Sequence, residues 1–145
     1  MAHNLLHQFG ISALLVLLCV LVHGFGLFRL NRALHTETSV EQLKRTDPLS
    51  LRGTLFTLGI VLMLVVLHGI EIWLFAVTYR IIGAQPGLEQ ALYVSTISYT
   101  TVGFSDALIG TDWRLLTAFE SIIGVILLGW STAFFFRVLS RIDPH

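Results

Sequence analysis

Three long apolar runs, residues 11–30, 54–78 and 113–137, decide what this chain can fold into. Each exceeds the ~18 residues at which a membrane-crossing helix becomes the default reading. In lipid, such a segment has to satisfy its backbone N–H and C=O groups internally, and a helix does so. A soluble four-helix bundle is the alternative for a chain of 145 residues. Its surface helices would each need a polar face, and these three runs have none. The chain therefore reads as an all-α membrane protein whose first partner is the lipid bilayer. Formal net charge is zero, so nothing draws it to nucleic acid. The single cysteine, Cys19, lies inside the first run and has no intrachain disulfide partner.

Residues 1–10 form a lead-in that passes from polar to apolar. The first run reads as a retained helix rather than a cleaved signal. No Lys or Arg precedes it, and no small-x-small cleavage pattern follows. His23 lies within it. Residues 29–52 are the polar segment, with Arg29, Arg32, Lys44, Arg45 and Arg52 set against Glu37, Glu41 and Asp47. Ser39 with Gln42 has the form of a capping box, and Asp47-Pro48 turns the chain. Ser50 is placed to cap the next helix. In the second run His68 and Glu71 are three apart and share a helix face. Trp73 and Tyr79 fit an aromatic belt at its exit.

Between the second and third runs, Pro86-Gly87 makes a turn and residues 88–99 read as a short helix. At about 1.5 Å per residue it is too short to cross a bilayer. A short helix followed by glycine-bearing backbone between two spans is a re-entrant segment. Non-helical backbone at that depth survives only where protein buries it or it lines a wet cavity. Seven of the nine basic residues lie in the middle loop and after the third run; only Arg80 and Arg114 flank the re-entrant segment. The positive-inside rule then puts the middle loop and C-terminus in the cytoplasm of an inner-membrane protein, with the N-terminus outside.

The string Thr101-Val102-Gly103-Phe104-Ser105, followed by Asp106, resembles the TVGYG selectivity filter of potassium channels. From about residue 54 to 137 the chain resembles the pore module of that superfamily: outer helix, re-entrant pore helix, filter, inner helix. Within it the likeness is to small prokaryotic proteins of the two-pore-type ion channel family. Ala91-Leu92-Tyr93, Trp113, the run from Phe119 to Gly124 and the run from Gly129 to Phe134 carry that likeness as well. The resemblance implies a homotetramer in which each chain supplies one filter strand. Potassium ions would pass dehydrated along the carbonyls of Thr101, Val102, Gly103 and Phe104, with K+ as permeant ion and no cofactor. Cyclic symmetry is the ordinary way for copies to enclose an axis. Short-helix C-termini aimed at the axis would favour a cation there. Gly124 falls where the family has an inner-helix hinge glycine; close helix packing is the other use of a glycine at that place. The expected organisation is an additional N-terminal transmembrane helix (1–30), a cytoplasmic linker (31–53), the pore domain (54–138) and a short tail (139–145).

Two positions depart from the family pattern. Ser105 stands where the outer filter glycine is usual, which bears on the outermost ion site. Ile97 replaces a carboxylate that braces the filter aspartate in some members, leaving Tyr93 to reach Asp106. Tyr93, Tyr99, Thr100, Asp106, Glu71 and Glu120 are the expected supports of the filter. A carboxylate at membrane depth is costly unless paired, so Glu71 and Glu120 should find donors among Tyr99, Ser98, His68 or backbone N–H groups. If the two carboxylates adjoin, they would share a proton. Enzyme chemistry is not expected, because the histidines and carboxylates are scattered without metal-ligand or triad spacing. A weakly selective cation channel and a non-conducting auxiliary subunit of a longer channel are the alternative functions.

Overall fold

The computed structural model describes residues 2–34, 50–103 and 113–140. Its helices are α1 (Ala2–Leu34), α2 (Leu51–Ile81), α3 (Leu88–Tyr99) and α4 (Arg114–Leu139). The apolar stretches Leu5–Leu34, Leu51–Ile81 and Arg114–Ser140 are long and apolar enough to cross a membrane. The described residues thus form an all-α bundle with three membrane-length helices. α1 extends further than the apolar run, beginning at Ala2 in the expected lead-in. No proline interrupts residues 2–10, and Gly10 inside a helix costs only about 1 kcal/mol.

Local chemistry fixes the helix ends. Ser50 caps α2 as expected, its Oγ accepting from Gly53 N–H at 3.2 Å. At the other end Gly83 turns left-handed with φ 72°, and Ala84 N–H donates to Tyr79 O at 2.9 Å. A left-handed residue just past the last turn is the common way to stop a helix. α3 spans Leu88–Tyr99, the range expected for the short helix, and begins directly after Gly87. The Ser39–Gln42 capping box and the Asp47-Pro48 turn lie outside the described residues.

α1 and α4 run parallel, and α2 runs against both. One core cluster joins Leu15 and Cys19 of α1, Phe75, Ala76 and Tyr79 of α2, Ala91 and Val94 of α3, and Leu116, Ile123 and Leu127 of α4. A second, at the opposite end, joins Leu27, Ile60, Leu64, Leu67 and Val138 and has no contribution from α3. Among the described residues the bundle therefore has four helices at one end and three at the other, with α3 wedged against α2 and α4. Lipid is as apolar as leucine, so burial from water does not drive this association. Close packing and hydrogen bonds between helices carry it instead. Many large side chains face outward, among them Leu21, Phe25, Leu62, Val65, Ile122 and Phe136.

Tyr79 is 1% exposed, inside the core rather than in an aromatic belt; Trp73 beside it is 48% exposed. The difference is one of helix face, which an aromatic residue near a span end does not reveal.

Gly124 marks a close approach of α4 to the end of α3. A Cβ built on it would lie 2.1 Å from the carbonyl oxygen of Tyr99, the last residue of α3. The obstacle is backbone, which cannot rotate away. Gly124→Ala is expected to lower stability by about 1–3 kcal/mol, the usual cost of overpacking. Thermal unfolding in detergent micelles, with Gly129→Ala as the open-space control, measures it.

Candidate functional site

The polar chemistry of the interior converges on the C-terminal end of α3. Glu71, on α2, is fully buried. The i, i+3 spacing does place His68 on its face, with His68 Nδ1 3.2 Å from Glu71 Oε2. Tyr99, the last residue of α3, donates its hydroxyl to the same oxygen. The phenol oxygen in turn lies 2.8 Å from His68 Nδ1, so the three groups close a ring of hydrogen bonds. The fourth member comes from α1: His23 Nδ1 donates to Glu71 Oε1 at 2.8 Å. His23 is fully buried, and its other nitrogen, Nε2, is 3.3 Å from Ser131 Oγ on α4. The His23 ring also lies 5.4 Å from that of Trp130. One carboxylate thereby ties α1, α2 and α3 together, and α4 is reached through His23.

Glu120, on α4, is buried as completely and has a separate set of partners. Tyr79 of α2 donates to its Oε2 at 2.5 Å, and Ser95 of α3 contacts its Oε1 at 2.5 Å. Ser95 Oγ also lies 2.8 Å from the Ile72 carbonyl. Glu71 thus finds two of its expected donors, Tyr99 and His68. Glu120 finds Tyr79 and Ser95 instead of Ser98 or Tyr99. Ser98 is used differently: its carbonyl accepts from Ser121 Oγ of α4 at 2.8 Å. The two carboxylates are held by different donors.

The last turn of α3 is consequently held from several sides. Glu71 and His68 fix the Tyr99 side chain, Ser121 fixes the Ser98 carbonyl, and Gly124 lies against the Tyr99 carbonyl. Thr100 directs its hydroxyl back to Thr96 O at 2.7 Å. The chain then leaves the helix through Thr101, whose N–H donates to Ser98 O at 3.0 Å with φ 61°. Glycine is the usual residue in that left-handed position. A β-branched residue there is a genuine outlier and points to a strained, over-determined backbone. Gly103 is left-handed as well, φ 45°, and its N–H donates to Ile97 O at 3.1 Å. Two left-handed residues about Val102 break the regular alternation of carbonyl directions found in a strand. Thr101, Val102 and Gly103 are exposed in the single chain. Tyr93 is 46% exposed. Phe104, Ser105 and Asp106 lie outside the described residues, and with them the expected contact between Tyr93 and Asp106.

His23 is the residue that sequence reasoning missed as part of this site. It lies 48 positions before Glu71, and only the rotation of α1 against α2 brings the two together. Ser131 and Ser95 were missed for the same reason. The available signal was the cost of a buried carboxylate, which demands donors without naming them.

Fold and site together define a helical membrane protein in which two buried carboxylates, Glu71 and Glu120, hold the short helix that leads into a non-helical turn. Residues 60–141, more than half of the chain, match the ion-channel family Ion_trans_2, and the chain belongs to that family. Membership places it among ion channels rather than enzymes. No curated protein and no solved structure matches the chain.

Removing the Glu71 carboxylate strands the donors that face it. Glu71→Leu is expected to cost about 1–3 kcal/mol for each buried donor left unpaired. Thermal unfolding in micelles checks this, with the outward-facing Trp73→Phe expected to be neutral. Equal unfolding temperatures for Glu71→Leu and the wild type would refute the bracing role.

Proposed function

We propose that four copies of this chain form a potassium-selective channel, and that ions pass along the backbone carbonyls of Thr101, Val102, Gly103 and Phe104. The observation that carries the reading is the left-handed backbone at Thr101 and Gly103, held at the end of a short helix and exposed in a single chain. Non-helical backbone at membrane depth has to be covered by protein or line a wet cavity. Further copies of the same chain around an axis would supply both. Strain at Thr101 is what a backbone set for carbonyl coordination would require, with the neighbouring helices bearing its cost. The family supports the channel part of the reading; the filter motif supports the ion.

On this reading residues 54–138 are the pore domain, with α2 as outer helix, α3 as pore helix and α4 as inner helix. Residues 1–30 are an added transmembrane helix, 31–53 the cytoplasmic linker and 139–145 the tail. The basic residues argue for an outer N-terminus and a cytoplasmic C-terminus. Glu71, Tyr99 and Thr100 position the filter entrance, and Glu120 holds the pore helix through Ser95. Tyr93 and Asp106 support the outer end. Gly124 is the candidate hinge of α4, and its contact with Tyr99 couples any bend there to the end of α3. Ser105, in the outer filter position, favours a second reading in which the pore is cation-conducting but weakly selective.

Liposomes containing only this protein should take up rubidium, a potassium mimic, in large excess over sodium. Comparable rubidium and sodium uptake would support the weakly selective pore instead. No uptake by a well-folded protein would sink the channel reading in favour of an auxiliary subunit. Native mass spectrometry should find four copies per particle.

A glycine is needed at 103 because of its left-handed φ, and open space surrounds it. Alanine there costs about 1–2 kcal/mol of backbone strain. Gly103→Ala should therefore abolish selective uptake while the particle still assembles. Unchanged selective flux in that variant would show the filter to lie elsewhere.

A further inference from the structure

We infer that His23, His68 and Glu71 form a binding site for a borderline-soft divalent transition metal ion of the zinc type. Their three ligand atoms lie within 4.8 Å of one another, the single such group among the described residues. Around a tetrahedral ion with bonds of about 2.0–2.2 Å, neighbouring ligand atoms stand roughly 3.4 Å apart. The cluster has His23 Nδ1 at 2.8 Å and His68 Nδ1 at 3.2 Å from the carboxylate. Small side-chain rotations open those spacings to fit an ion. Two imidazoles with one carboxylate suit zinc, cobalt or nickel rather than the all-oxygen shells of calcium and magnesium.

The surroundings also suit an ion. Metal-bound histidines ordinarily have their second ring nitrogen hydrogen-bonded. His23 Nε2 faces Ser131 Oγ at 3.3 Å. Binding metal at Nδ1 requires the ring proton to move to Nε2. The Ser131 hydroxyl donates to Nε2 before that change and accepts from it afterwards, so His23 keeps its second partner in both states. Tyr99 donates to Glu71 Oε2 and leaves Oε1 to the ion. The His68 side chain is 13% exposed, while Glu71 and His23 are at 0%. The group is thus least covered on the His68 side, where an ion and its remaining ligand would enter. The bound ion would cross-link α1 to α2.

Cobalt(II) tests this without any measurement of ion flux, so the outcome is independent of the channel reading. Titrated into the purified full-length protein in micelles, Co2+ should develop the intense visible absorption of a four-coordinate ion. One equivalent per chain should bind, and Zn2+ should displace it. Co2+ should also raise the unfolding temperature, because an ion that binds only the folded state stabilises it by mass action. His23→Asn retains a hydrogen-bonding amide near the Nδ1 position but lacks the imidazole. It should fold, judged by unchanged circular dichroism, and bind Co2+ at least about tenfold more weakly. His68→Asn should do likewise. Only the weak absorption of six-coordinate Co2+ in the wild type would overturn the proposal. So would binding of equal strength in the two folded asparagine variants.

Discussion

A carboxylate cannot be left unpaired among lipid-facing helices, and Glu71 imposes that constraint on the whole bundle. Its cost at membrane depth is several kcal/mol by most measures. The structure meets it with donors from three helices: His23 of α1, His68 of α2 and Tyr99 of α3. Satisfying the charge therefore orders the bundle. α1 must present His23 inward, and α3 must end where the phenol can reach. Glu120 repeats the device with Tyr79 and Ser95 and fixes the earlier part of α3 between α2 and α4. Where apolar burial gives little preference for one helix rotation over another, such polar pairs supply it.

The same bonds determine what the turn after α3 can be. A β-branched residue at φ 61° would relax in an unrestrained loop. Here the preceding turn is held through the Tyr99 side chain, the Ser98 carbonyl and the contact with Gly124. These restraints act on backbone position rather than on the exposed groups of Thr101 and Gly103. The scaffold is thus separate from the groups that face outward.

Much of this was legible in the sequence. Apolar length alone identified the three long helices, since lipid leaves few other structures for such segments. Pro86-Gly87 and the glycine-bearing string after Tyr99 bounded the short helix, so its range agrees with the structure. His68 and Glu71 were paired by helical spacing. What could not be read was the rotation of one helix against another. His23 looked like an isolated histidine, and Tyr79 like an interfacial aromatic. Apolar residues surround every face of these helices, so no stripe marks the side turned inward. The grouping of His23 with His68 and Glu71 could not be read for the same reason: its members stand on two helices without motif spacing.

The bond between His23 and Ser131 spans 108 positions. During synthesis α1 enters the membrane long before α4 exists. In that interval Glu71 has His23 on α1 and its own neighbour His68, and gains Tyr99 once α3 is made, but the far side of His23 stays open. The Ser98 carbonyl likewise waits for Ser121, and the Tyr99 carbonyl for Gly124. α4, made after the other three described helices, is therefore the one that locks the end of α3. Until it arrives, the end of α3 lacks the hydrogen bond from Ser121 and the packing of Gly124.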